Sequence, residues 1–131
     1  MIIGIGIDIV QTERIERWLE KPKLLEKFFH AEEIAYAFTG KKKNAAQALS
    51  ARFAAKEAFS KALGTGFSGI SIKDILIINR ENGKPEIKLF ATAQKALEES
   101  GADRVHISLS HEKNNAIAMI ILEGGNEEKS N

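Results

Sequence analysis

Isoleucine occupies every second position from 3 to 9 at the start of the chain, and Gly4, Gly6 and Asp8 stand between these isoleucines. A two-residue period of this kind predicts a β-strand with one branched, apolar face. The opposite face is nearly bare, so we expect another element to pack closely against it. Asp8 is expected to look out from that second face.

Along the rest of the chain, segments whose apolar residues recur with the helical period alternate with segments that have the strand period. Helices are predicted over 12–19 with Thr12 as N-cap, over 23–29 after Pro22, over 31–38 before Gly40, from a capping box of Asn44 and Gln47 to Leu63, and over 91–100. Strands are predicted over 75–79 and 86–90 as one hairpin, and over 105–110 and 116–122 as another. This order predicts one α+β domain over 1–123, in which an antiparallel sheet packs against a long central helix. A flexible C-terminal tail is expected over 124–131.

Composition narrows the classes of function. The 131 residues are 44% hydrophobic and 28% charged, with a net charge of +1, which gives no overall attraction to nucleic acid or membranes. Cysteine is absent from the sequence, which excludes disulfides and thiolate chemistry within it. The apolar run at the N-terminus stops at Asp8 and lacks the layout of a signal peptide, so we expect a cytoplasmic protein.

The long helix carries an isolated carboxylate among cations. Glu57 lies one turn before Lys61, and most pairs of this kind are ordinary ion pairs on a helix surface. Asp8 changes that interpretation, because an acid within an isoleucine-rich strand is costly to bury unless it meets a cation or several donors. The alternative is that Asp8 has a purely structural role as a cap for the next helix, but Thr12 is better placed for that role. Two carboxylates on rigid elements suit Mg²⁺, with water and substrate phosphates as its other ligands.

Three further features are weaker candidates for phosphate contacts. Gly64 and Gly66 follow the long helix, where backbone amides are accessible, although a C-cap and turn explain them equally well and the helix dipole has the wrong sign for an anion. The lysine run that ends at Lys43 precedes the same helix, where a phosphate would be favoured, although such a run is usually a solvated loop. His111 follows a strand, a position more typical of a hydrogen-bonded surface residue.

A basic stripe is predicted on the first helix. Arg14, Arg17 and Lys21 recur at near-helical spacing beside Trp18. The commoner explanation is a solvated helix face. The alternative is a cationic surface with an aromatic anchor, suited to docking an acidic helix of a partner.

Four blocks of the sequence carry a resemblance to a known family. The first block is Gly-Ile-Gly-Ile-Asp-Ile-Val at 4–10, followed by Arg14 and Ile15. The central and most specific block runs from Arg-Phe-Ala-Ala-Lys-Glu-Ala at 52–58 through Gly66, and the last two are Asn-Gly-Lys-Pro at 82–85 and Ser-Leu-Ser-His at 108–111. In this order, over nearly the whole chain, the blocks resemble the holo-[acyl-carrier-protein] synthases, the short bacterial type of 4′-phosphopantetheinyl transferase.

The resemblance implies an activity and a site. It implies transfer of the phosphopantetheine arm of coenzyme A to a serine of acyl carrier protein, with release of adenosine 3′,5′-bisphosphate. Asp8 and Glu57 would ligate Mg²⁺, and Lys61 would neutralise phosphate charge. The general base stays open between Glu57 and a metal-bound water.

The resemblance also implies binding surfaces. Arg52 and His111 would line the coenzyme A site, Arg14 would face the carrier protein, and the usual assembly would be a homotrimer with active sites between subunits. Two alternatives of another class stay open, which are a non-catalytic module that binds coenzyme A or a nucleotide, and a module that only docks an acidic partner.

Overall fold

The computed structural model describes residues 1–125, apart from the side chains at positions 42 and 43. The elements in chain order are β1 (Ile2–Gln11), α1 (Thr12–Glu16), α2 (Pro22–Phe28), α3 (Ala31–Ala37), α4 (Lys42–Leu63), a 3₁₀ turn (Ile72–Asp74), β2 (Ile75–Asn79), β3 (Pro85–Leu89), α5 (Ala91–Glu99), β4 (Ala102–His111) and β5 (Asn115–Gly124). One antiparallel sheet has the order β1-β5-β4, and β2 and β3 form a separate hairpin. The predicted α+β class is confirmed. Within the described part of the chain, no helix has the length and apolar character needed to cross a membrane.

Helix α4 packs directly against the bare face of β1, as the glycines predicted. A methyl group added to Gly6 would overlap the carbonyl oxygen of Ala58, and one added to Gly4 would overlap that of Ala62. The strand and helix backbones therefore approach as closely as only glycine permits. This close packing brings Asp8, which lies on the same strand, to the surface of α4.

The isoleucine face of β1 points away from the helix and is open. Ile5, Ile7 and Ile9 are 58%, 54% and 60% exposed. In the neighbouring strand β5, Met119 pairs with Ile7, and Ile117 pairs with Ile9. These apolar side chains form one continuous exposed surface, which we call the outer sheet face.

Helix α1 is shorter than predicted. It begins at Thr12 after Gln11, which makes no side-chain capping hydrogen bond, so the prediction of Thr12 as N-cap is wrong. The chain leaves α-helical geometry after Glu16, and the amide of Trp18 donates to the carbonyl of Ile15 at 2.8 Å, three residues back. The basic residues beyond 16 therefore do not form a stripe on one regular helix.

Other element boundaries also differ from the prediction, and β4 begins at Ala102 and includes His111, beyond the predicted 105–110. Helix α4 already begins at Lys42, with the extended residue Lys41 before it, so a capping box at Asn44 and Gln47 is wrong. Strand β5 continues to Gly124, beyond the predicted end at 122, because its last residues pair with β1 and β4. Most of the predicted tail, residues 126–131, lies outside the described residues.

A buried ion pair joins the helices to the hairpin. Lys56 and Glu33 have no solvent-exposed side-chain surface, and Nζ of Lys56 lies 2.6 Å from Oε1 of Glu33. The same Nζ donates to the carbonyl of Phe28 at 3.0 Å. The Glu33 carboxylate also accepts from the amides of His30 at 2.9 Å and Ile77 at 3.0 Å. This one pair thus connects α2, α3, α4 and β2.

Candidate active site

The two predicted carboxylates meet where β1 crosses α4. Asp8 projects from the strand, and its Oδ1 accepts a 2.8 Å hydrogen bond from Nζ of Lys61 on the helix. Lys61 Nζ also donates to the carbonyl of Ile7 at 3.2 Å. Lys61 of α4 therefore forms an ion pair with Asp8 of β1. The Asp8 side chain is only 16% exposed, whereas that of Lys61 is 54% exposed.

The electrostatics show that Glu57 belongs to the same cluster. Burial raises the pKa of Glu57, and the nearby Asp8 carboxylate raises that pKa further, while Lys61 and Arg14 act in the opposite direction. The hydrogen bond to Asp8 raises the pKa of Lys61, which keeps this amine protonated at neutral pH. Glu57 is consequently a stronger base than a fully exposed glutamate.

The donors of this cluster suit a hard cation that keeps open coordination positions. Asp8 and Glu57 supply carboxylate oxygens, which are the protein ligands that Mg²⁺ prefers. Among residues 1–125, no three or more His, Asp or Glu side chains gather into a complete metal cage. Two carboxylates fit a site in which water and a phosphorylated substrate supply the remaining ligands.

A cavity of about 420 Å³ lies on another side of α4, and it contains two of the residues predicted to bind the coenzyme. Arg52 from α4 and His111 from the end of β4 both line it. Tyr36 of α3, Asn79 of β2 and Gly83 of the β2–β3 turn line it as well. The cavity is thus formed by α3, α4, the end of β4, and β2 with the turn that follows it.

Arg52 is the buried cation of this cavity. Its side chain is covered so that the residue is 3% exposed, and burial lowers its pKa. The guanidinium lies over the Tyr36 ring, with Cζ 4.5 Å from the centroid. Nη2 donates to Oδ1 of Asn79 at 2.6 Å, and Nη1 donates to the carbonyl of Ala48 at 3.4 Å. Its Nε is one of two buried polar side-chain atoms that lack a hydrogen-bond partner within the described structure. A buried guanidinium with unused donors is well suited to an anion.

The remaining coenzyme candidates lie elsewhere. Gly64 and Gly66 follow α4 with φ of 81° and 62°, and the Gly64 amide donates to the carbonyl of Lys61 at 3.0 Å. They therefore form a helix C-cap, which was the structural alternative, and neither is among the described residues that line the cavity. Lys43 is the second residue of α4, and its side chain lies outside the described part of the structure.

The predicted docking residues surround an aromatic cluster. Trp18 stacks on Phe28 at a centroid distance of 5.0 Å and meets the edge of Phe53 at 5.4 Å. The Arg14 guanidinium lies 5.7 Å from the Trp18 ring centroid and 5.2 Å from that of Phe53. Its influence on the Glu57 pKa indicates that this surface adjoins the carboxylate cluster.

Arg17 and Lys21 are the outer members of this surface. Arg17 is paired with Glu13 at 3.4 Å, and both of these side chains are more than 70% exposed. Lys21 is exposed immediately before α2. Only Arg14 and Trp18 are therefore held in place by packing.

Tyr36 and Asn79 are among the cavity residues that the sequence patterns did not indicate. Tyr36 lies in a short helix with no distinctive motif. Asn79 ends a predicted strand six residues before Pro85 of the Asn-Gly-Lys-Pro turn. A polar residue at the end of an apolar strand, close to that turn, was the one available signal.

The chain matches the model of the family described as the 4′-phosphopantetheinyl transferase superfamily over residues 4–119. A holo-[acyl-carrier-protein] synthase of Treponema denticola is 53% identical over 124 residues, which are 95% of this chain and 100% of that protein. The crystal structure of a holo-(acyl-carrier-protein) synthase from Bacillus anthracis in complex with CoA (3′,5′-ADP) aligns with a TM-score of 0.80 at 37% identity, covering 95% of this chain and 99% of that one. The Helicobacter pylori holo-[acyl-carrier-protein] synthase in complex with coenzyme A aligns with a TM-score of 0.77 at 32% identity, covering 91% and 99%. This chain belongs to the 4′-phosphopantetheinyl transferase superfamily.

Proposed function

We propose that this protein transfers the 4′-phosphopantetheine group of coenzyme A to a serine of apo acyl carrier protein. The products are holo acyl carrier protein and adenosine 3′,5′-bisphosphate. The observation that carries the proposal is the 2.8 Å contact between Asp8 of β1 and Lys61 of α4, with Glu57 one helical turn before Lys61 on the same helix. Family membership and the relatives named as holo-[acyl-carrier-protein] synthases support the same reaction.

Coenzyme A is proposed to occupy the cavity around Arg52 and His111. The unused donors of Arg52 favour a phosphate oxygen, and the exposed imidazole of His111 lines the same cavity. Glu57 follows Arg52 by five residues on α4, so it lies about 7.5 Å further along the helix axis and on a different face of the helix. One coenzyme A molecule carries both a 3′-phosphate and a diphosphate, so it has phosphates for both sites. The relatives whose structures contain coenzyme A support the binding of this ligand, and its place in the cavity is our proposal.

We propose Mg²⁺ as the metal, held by Asp8 and Glu57. When bound, it would supply positive charge that offsets the negative charge on the diphosphate of coenzyme A. Lys61 would neutralise phosphate charge, because its protonated amine lies 2.8 Å from Asp8 and its side chain is about half exposed. The serine hydroxyl loses its proton to Glu57 or to water, and its oxygen forms a bond to the phosphorus next to the pantetheine arm. The bond from that phosphorus to the bridging oxygen breaks, and adenosine 3′,5′-bisphosphate leaves with that oxygen. Attack of this kind needs positioning and charge stabilisation more than covalent help from the protein.

The carrier protein is proposed to dock on Arg14, Arg17, Trp18 and Lys21. Arg14 is the central residue, because it packs on Trp18 and Phe53 and lies close enough to Glu57 to influence its pKa. A basic surface next to the carboxylate cluster would orient an acidic carrier protein with its serine toward the site.

We further propose that the protein assembles as the homotrimer that the family resemblance implies. The outer sheet face supports this, because a monomer would leave the branched side chains of β1 and the apolar residues of β5 in water. A location in the cytoplasm stays a prediction from the sequence.

Intact-mass spectrometry of an apo acyl carrier protein tests the reaction. Incubation with this protein, coenzyme A and Mg²⁺ should add one phosphopantetheine to the carrier, and EDTA should abolish the gain. Glu57→Ala should abolish transfer and leave the fold intact. The matched control Glu98→Ala, which replaces an exposed glutamate of α5, should retain transfer. Coenzyme A binding without any gain, over several apo carriers, would reduce the protein to a non-catalytic binding module. Carrier binding that survives Glu57→Ala, with no transfer by the wild type, would indicate the docking alternative.

A further inference from the structure

Asn79 connects two walls of the coenzyme cavity. Its Oδ1 accepts the 2.6 Å hydrogen bond from Nη2 of Arg52, and its Nδ2 donates to the carbonyl of Gly83 at 3.0 Å. Arg52 belongs to the long helix, whereas Gly83 belongs to the turn between β2 and β3. Because one amide side chain satisfies both contacts, the positions of the guanidinium and the turn depend on each other.

The other contacts of Arg52 constrain the orientation of its guanidinium less than the hydrogen bond to Asn79 does. Nη1 makes a long bond of 3.4 Å to the carbonyl of Ala48, and the Tyr36 ring supports one face of the guanidinium at 4.5 Å. A ring face leaves the guanidinium free to rotate in its own plane, whereas a short hydrogen bond to Nη2 sets that rotation. The rotation decides where the remaining N–H groups point, and thus whether they meet an anion as a fork or singly.

The lack of charge on the Asn79 side chain matters as much as its geometry. An aspartate at this position would keep an acceptor for Nη2, but its charge would compensate the guanidinium and oppose an incoming phosphate. It would also place a carboxylate oxygen against the Gly83 carbonyl, where the amide now donates. An asparagine therefore orients Arg52 and leaves its positive charge available.

We propose that Asn79 is a positioning residue that sets the affinity for coenzyme A by orienting Arg52, an inference that rests on the proposed coenzyme site. Asn79→Ala is expected to raise the KM for coenzyme A about tenfold, the size of one hydrogen bond to a charged group. Asn79→Asp is expected to raise it by at least as much, although it keeps the hydrogen bond to Arg52. The kcat and the KM for the apo carrier are expected to stay within about threefold, because neither variant alters the carboxylate cluster.

The experiment measures transfer kinetics against both substrates, together with coenzyme A binding by calorimetry. Asn82→Ala is the matched control, because Oδ1 of Asn82 accepts from the Lys84 amide at 3.0 Å within the same turn. It loosens the turn without removing the contact to Arg52, so its KM for coenzyme A should stay within about twofold of wild type. Circular dichroism and thermal unfolding verify that each variant is folded.

A double-variant cycle distinguishes positioning from a direct contact. If Asn79 acts through Arg52, adding Asn79→Ala to Arg52→Ala should weaken coenzyme A binding no further than Arg52→Ala alone. Additive losses, an unchanged KM in Asn79→Ala, or an equal rise in Asn82→Ala would each overturn the inference.

Failure of the proposed function gives a different result. A wild-type protein that binds coenzyme A but modifies no carrier would refute the transfer reaction, and the calorimetric cycle would still decide the role of Asn79. A wild-type protein that binds no coenzyme A would overturn both proposals.

Discussion

Replacement of Lys56 by methionine should destabilise the protein strongly. Lys56 and Glu33 form a 2.6 Å ion pair, and both side chains are fully buried. Methionine keeps a similar unbranched apolar chain, so the substitution mainly removes the charge. The Glu33 carboxylate would stay buried with only the His30 and Ile77 amides as donors, and the Phe28 carbonyl would lose its partner.

The expected magnitude follows from removing one member of a buried pair. Such changes cost about 3–5 kcal/mol, because the remaining charge stays buried without compensation. Total stability of a domain is about 5–15 kcal/mol, so Lys56→Met would remove roughly a fifth or more of it. For a domain of this size, that loss corresponds to a fall in Tm of about 10–20 °C.

Urea unfolding followed by fluorescence provides the assay. Trp18 is the only tryptophan in the chain, and its ring stacks on Phe28, whose carbonyl accepts from Lys56. All variants should be compared at one protein concentration, since assembly would contribute to the apparent stability. The double variant Glu33→Gln with Lys56→Met should recover about 2 kcal/mol or more, because a neutral amide removes the unpaired charge and still offers an acceptor.

Two results would contradict this reasoning. A loss of less than about 1 kcal/mol in Lys56→Met would mean that the pair is solvated or that its desolvation cost cancels its attraction even after one partner is removed. A double variant as unstable as Lys56→Met alone would mean that lost packing, and not the unpaired carboxylate, causes the destabilisation.

Three further predictions concern packing, docking and assembly. Gly6→Ala should cost about 3 kcal/mol in urea unfolding, because the new methyl overlaps the α4 backbone, whereas Gly40→Ala, whose nearest neighbour lies at 3.7 Å, should change stability by less than about 1 kcal/mol. Arg14→Glu should raise the KM for the apo carrier about tenfold and leave that for coenzyme A unchanged, and an equal effect of Lys95→Glu on α5 would argue against a local docking site. Ile7→Glu should reduce the mass in light scattering from three chains to one, and a wild-type mass of one chain would contradict the trimer.

Much of the local structure was predictable from residue patterns. The alternation in β1 and the glycines within it predicted both a strand and a close neighbour, and α4 is that neighbour. The long helix was predicted to end before Gly64, and it does, since this glycine adopts a positive φ of 81°. Local patterns succeed here because the backbone conformation of each residue depends mainly on its own side chain and near neighbours.

Helix ends were the least predictable part of the local structure. The polar residues Asn44 and Gln47 resembled a capping box, but the observed cap is that of α3. There Nδ1 of His30 accepts from the Glu32 amide at 3.1 Å, and the Glu33 carboxylate accepts from the His30 amide at 2.9 Å. Histidine is an uncommon N-cap, so no sequence rule pointed to it. Thr12 resembled a cap but is the first residue of α1, and its buried hydroxyl lacks a partner among the described residues.

The residue types and their apolar neighbours were enough to identify the groups that could take part in chemistry. Asp8, Glu57 and Lys61 could be selected because charges are costly within apolar segments and therefore stand out against them. Their residue types suited a cation and phosphates before any coordinates were considered.

The contacts among these groups, in contrast, follow from the tertiary structure. Lys61 pairs with Asp8, 53 residues away in sequence, and Arg52 is oriented by Asn79, 27 residues away. It also placed Glu33 against Lys56 and left the isoleucine face of β1 exposed. These contacts depend on how helices and sheets pack against one another, and the period of a single segment carries no information about the partner that it will face.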